Sequence, residues 1–156
     1  MSPKDYRVVR VMRMPHTDNI ASDLPIPEYQ TAHTAGLDLV AAIPAEAPVI
    51  IAPGERAAIP TGLAFALPPN IEGQIRSRSG LALHYGVTVL NSPGTLDAEV
   101  HVILANFGSE PFTVERGAKI AQLVFAPIVR ASFHEFAAVD DPTRGVRGFG
   151  STGTGR

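Results

Sequence analysis

The chain has no cysteine and no tryptophan. Without cysteine there is no disulfide framework, no thiolate zinc site and no cysteine nucleophile. That composition suits a reducing compartment, and a cytoplasmic protein is expected. No apolar run approaches the ~18 residues that a membrane-spanning helix needs. The opening MSPKDYRVVRVMR scatters charge where a signal peptide would carry its apolar stretch. An excess of either charge is missing too: 13 Lys and Arg face 15 Asp and Glu, a net charge of -2. A dedicated nucleic-acid binder usually shows a basic excess, so neither nucleic acid nor a membrane is expected as a partner. With 45% hydrophobic and 18% charged residues, the chain is not a disordered charged tail.

Turn-forming residues, by contrast, are plentiful. The 156 residues include 14 Gly and 14 Pro, and the length predicts one domain able to bury ~70% of its unfolded surface. The Gly and Pro positions leave gaps too short for long helices, so the segments between them read as strands: 6–14, 37–42, 48–52, 63–67, 87–90, 99–106, 112–115, 120–129 and 132–136. Many short strands with close turn signals predict an all-β sandwich, jelly roll or barrel. One short helix is expected, with Ser79 as N-cap of residues 80–85 and Gly86 closing it.

Four places carry groups suited to anions or acid–base chemistry. Residues 140–156 are rich in Asp, Pro, Thr, Ser, Gly and Arg and read as a flexible tail. Within it Phe149 has nothing local to bury it, and Arg144, Arg147, Ser151 and Thr152 supply anion-binding donors between glycines. Arg76-Ser77-Arg78-Ser79-Gly80 places two guanidiniums and two hydroxyls at a helix start, where backbone N–H groups favour an anion; a capped surface turn would read the same way. Asp97, in Asn91-Ser92-Pro93-Gly94-Thr95-Leu96-Asp97, is either a turn residue or a general base. Asp38, among apolar neighbours, is either a solvated edge group or one that faces cations. The five His lack metal-ligand spacing, and Gly-x-Ser-x-Gly is absent.

The segments AGLDL, RSRSGLA, NSPGTLDA, RGAKIAQLV and RGVRGFGSTG occur in this order. Together they resemble the five ordered motifs of the trimeric dUTPase family, over roughly residues 14–153. The resemblance implies a jelly-roll-like β-barrel (residues 1–139) with a mobile lid (140–156), assembled as a homotrimer with shared active sites. It implies Mg²⁺-dependent attack of water on the α-phosphate of dUTP, giving dUMP and pyrophosphate. By position, Asp97 would be the base that activates water, and Asn91 and its neighbours would form the hairpin pocket for uracil. Arg78, Ser79, Gly80 and Gln122 would hold phosphates, and Asp38 would reach the metal through water. In the tail Phe149 would cover uracil, with Gly150 beside it, while Arg144, Ser151 and Thr152 would hold the γ-phosphate.

The chain departs from that family's pattern in three places. Ser77 stands where Pro is usual, and Arg147 where Gly is usual. In the third motif Asp97-Ala98 runs directly into Glu99-Val100, about four residues short, and the Tyr that packs on the sugar is among those missing. The loss is even, so the next strand keeps its faces, while the hairpin tip gives up to ~13 Å of contour. Two functions follow: a dUTP pyrophosphatase impaired by the shortening, or a catalytically weak nucleotide-binding or regulatory protein on the same fold.

Overall fold

Short apolar stretches between turn residues do become strands. In the computed structural model, residues 7–15, 18–92 and 98–135 are described. Along the chain run β1 (Arg10–Arg13), a single turn α1 (Asp18–Ala21), β2 (Leu37–Val40), β3 (Val49–Ile51), β4 (Arg56–Ala66) and β5 (Ile71–Arg76). The helix α2 (Ser79–Tyr85) follows, then β6 (Val87–Val89), β7 (Glu99–Asn106), β8 (Phe112–Val114) and β9 (Lys119–Pro127). The protein is all-β, as its pattern predicts. Its described strands pair antiparallel in three sheets, β1-β4-β7-β6, β2-β9-β5 and β3-β8, rather than in one closed ring. One core joins them, centred on Leu39, Ile51, Ile59, Ile75, Val102, Leu104, Ile120 and Leu123. Among the described residues no helix is long and apolar enough to cross a membrane.

Four details differ from the sequence reading. β4 is one bent strand of 11 residues, not a strand beginning at Leu63. Its register with β7 shifts between Pro60 and Ala64, and the Pro60–Gly62 step that reads as a turn is that bend. Thr61 Oγ1 donates to Val100 O at 2.7 Å and secures it. β5 was not expected at all, because Gly73 interrupts its apolar pattern; Gly73 is buried inside the strand. Residues 132–135, expected in a last strand, are not in one. The single turn α1 is additional, held by Arg116, whose Nε donates to Ile20 O at 3.0 Å, and by Arg13, whose Nη1 donates to Ala21 O at 2.7 Å.

β7 keeps the alternation expected after the shortened loop. Val100, Val102 and Leu104 are buried on one face, and the strand pairs with β4 and β6. At its end, fully buried Asn106 binds three backbone groups, one in β3 and two in the turn between β7 and β8. Nδ2 donates to Ile51 O at 2.9 Å and to Glu110 O at 2.7 Å, and Oδ1 accepts from Gly108 N at 2.9 Å. Gly86 closes α2 in the left-handed region (φ 68). A Cβ there would lie 2.5 Å from Gly108 N, so no other residue fits.

Candidate functional site

β5 ends at Arg76, and the chain stays extended through Arg78 (φ -91, ψ 124) before turning into α2. Arg78, not Ser79, is therefore the N-cap, and Ser79 is the first helical residue. No side chain caps the first turn. First-turn N–H groups without a side-chain cap favour an anion. Ser77 accounts for the sharpness of the exit. Its Oγ accepts from Val89 N at 2.9 Å and lies 2.7 Å from Thr88 Oγ1, tying the end of β5 to β6.

The second wall of the site is the outer face of β2-β9-β5. Asp38 of β2 and Arg76 of β5 both stand opposite Gln122 of β9, so three polar residues form a row across the sheet. Gly36 makes room for the middle one: a Cβ there would lie 3.2 Å from Gln122 Oε1. Asp38 does face cations. Its Oδ2 is 2.8 Å from Lys119 Nζ, and its Oδ1 is 3.5 Å from Arg78 Nε. Arg78 Nη1 also donates to Lys119 O at 2.8 Å. Arg76 turns back along its own strand, donating through Nε to Gln74 Oε1 at 3.1 Å.

Lys119 is a site residue that the sequence reading missed. It lies three positions from Gln122, so simple alternation puts the two on opposite faces. The β2–β9 register shifts between Leu39 and Val40: Leu39 opposes Ala121 and Val40 opposes Lys119, so Ile120 is an extra residue. This bulge buries both Ile120 and Ala121 and brings Lys119 out beside Asp38. Bulges re-aim side chains in this way, and no local residue type announces one here.

Of the residues singled out by sequence, the structure gathers Asp38, Arg78, Ser79, Gly80 and Gln122. Asn91 lies two residues beyond β6, and its amide is engaged with β7: Oδ1 accepts from Ile103 N at 3.0 Å and Nδ2 donates to His101 O at 2.9 Å. Ser77 links the two regions through Val89. Asp97, Arg144, Phe149, Gly150, Ser151 and Thr152 lie outside the described residues.

A family model for dUTPase matches residues 22–153. The chain belongs to the dUTPase family. Solved dUTPases share its fold. A variant of the Staphylococcus bacteriophage 80alpha dUTPase with dUpNHpp gives a TM-score of 0.76 at 21% identity, covering 95% of this chain and 99% of that one. The dUTPase of S. aureus phage phi11 gives 0.71 at 19% identity, over 86% and 99%. A phi11 dUTPase variant, with 0.71 at 19% identity over 86% and 100%, is described as coordinating a structural Mg(II) ion. The 80alpha dUTPase itself, with 0.69 at 19% identity over 86% and 99%, is described as controlling transfer of virulence genes by a G protein-like mechanism.

Proposed function

We propose that this protein hydrolyses dUTP to dUMP and pyrophosphate, with weak turnover and relaxed sugar choice. The observation that carries the reading is the convergence of Arg78, the uncapped start of α2 and Gln122 on one region, in a chain that belongs to the dUTPase family. A triphosphate carries close to four negative charges, and clustered donors with a cation offset them. Arg78, Ser79, Gly80 and Gln122 hold phosphates. Asn91 shapes the uracil hairpin by fixing it to β7. Asp97 takes the proton of the attacking water. Residues 140–156 close over the nucleotide, with Phe149 and Gly150 on uracil and Arg144, Ser151 and Thr152 on the γ-phosphate. The closed lid excludes water and fixes in-line geometry.

Magnesium fits the site as an ion brought by the triphosphate. Among the described residues no three carboxylate or imidazole groups gather to hold a metal. Asp38 has a buried Oδ1 without a hydrogen-bond partner, an acceptor suited to a metal-bound water. When bound, the ion offsets phosphate charge. A homotrimer is supported by surface that a lone chain leaves bare: an apolar groove of about 620 Å³ lined by Val9, Val11, Ile26, Tyr29, Phe65 and Phe125, and Val129 and Phe133, each at least 95% exposed. The cysteine-free composition supports a cytoplasmic location.

The test is steady-state kinetics with dUTP and UTP side by side. dUMP and pyrophosphate should appear, with uracil preference kept against dCTP. Preference for dUTP over UTP should fall below the ~10²-fold that a rigid wall against one oxygen provides. A strong dUTP preference would show that another residue replaces the missing Tyr. The shortened third motif favours a second reading, a nucleotide-binding regulator; dUpNHpp binding without turnover would select it.

A further inference from the structure

Asp38 is a carboxylate with a side chain only 15% exposed. Left without a cation, such a group is strongly disfavoured. Among the described residues two cations meet it, and they are not equivalent. Lys119 Nζ makes a charged hydrogen bond of 2.8 Å to Oδ2, whereas Arg78 Nε stands 3.5 Å from Oδ1, beyond good hydrogen-bond range. Arg78 is held instead through Nη1 on the Lys119 carbonyl, at 2.8 Å. One residue thus supplies the carboxylate's closer cation by its side chain and the guanidinium's anchor by its backbone. It stands there because of the one-residue bulge at Ile120.

We propose that Lys119 is a positioning residue for the triphosphate, the standing counter-ion that keeps the charge of Asp38 paired through Oδ2 and thereby releases Arg78 to the phosphates. The proposal rests on the reading of this region as the phosphate site. Without Lys119, Arg78 is the one cation left to Asp38 among the described residues, and an incoming polyanion must break that pair before it can use the guanidinium. A partner held in a non-competent arrangement lowers apparent affinity by the fraction so held. Lys119 acts through Asp38 in this scheme, so its effect should vanish when Asp38 carries no charge.

The experiment is calorimetric titration of inorganic tripolyphosphate into the full chain and its variants. Lys119→Met should weaken binding ~10-fold, and the loss should fall to less than ~2-fold when the same change is made in Asp38→Asn protein, since residues acting through one another are non-additive. Lys119→Arg, which keeps the cation, should restore affinity; the backbone carbonyl that holds Arg78 is present in every variant. Lys119→Gln gives the same comparison if the Met variant does not fold. Three results would overturn the proposal: Lys119→Met binding as the parent does, equal losses in both Asp38 backgrounds (Lys119 then touches phosphate itself), or no binding by the parent chain. The dUTP reading fails separately, if dUpNHpp binds no more tightly than tripolyphosphate while the Lys119 pattern holds.

Discussion

Single amides hold this molecule at two places. Asn106 satisfies two carbonyls and one N–H from β3 and the β7–β8 turn while fully buried. Removing it strands those groups away from water, each at a penalty of ~1–3 kcal/mol before relaxation. Asn106→Ala should therefore lower stability by about 2–3 kcal/mol, read from the urea midpoint; an unmoved midpoint would mean that water replaces all three bonds. Asn91 does similar work on β7, close to the proposed uracil pocket. Asp97 is the residue on which the proposed chemistry turns. Asp97→Asn should keep dUpNHpp affinity and lower turnover by ~10²-fold or more, the scale of a lost general base. Unchanged turnover would show that the shortened loop has taken Asp97 away from the water.

Among the elements, β9 does the most for the site. Its Gln122 stands between Asp38 and Arg76, and its bulge turns Lys119 outward. The α2 end of the site depends on Gly86, whose left-handed backbone and close approach to Gly108 fix the helix exit. Gly86→Ala adds a methyl carbon 2.5 Å from Gly108 N. It should reduce both thermal stability and tripolyphosphate binding, as backbone strain at such a position is worth ~1–3 kcal/mol; an unchanged melting temperature would contradict this. The C-terminal segment is proposed to act differently. Deleting residues 144–156 should leave the melting temperature in place and abolish most turnover, because it removes the proposed uracil cover and γ-phosphate clamp but, besides Phe149, only one branched apolar side chain, Val146. A sharp fall in melting temperature with turnover spared would refute the lid.

For the whole molecule, the proposed trimer should scatter light as roughly 50 kDa, three closed copies of the 16.5 kDa chain; a mass near 16.5 kDa at micromolar concentration would refute it. The all-β class and most strand positions were legible in the residues themselves, whereas a shared region for Arg78, Ser79, Gly80, Gln122 and Asp38 was expected only from the resemblance to the dUTPase family. Turn residues and period-2 apolar patterns are local signals, and ordered motifs are local too. β7 was read with its true limits because Val and Leu alternate along it without a break. β5 was not read, since Gly73 breaks the pattern that burial restores. Lys119 and the capping role of Arg78 were beyond local reading for a different reason. A bulge inverts alternation only where two distant strands meet, and a helix start depends on how the preceding strand is anchored, here by Ser77 on Val89. Local sequence encodes which residues can form strands and turns; pairing between segments far apart along the chain decides which side chains share a face, and so which charges meet.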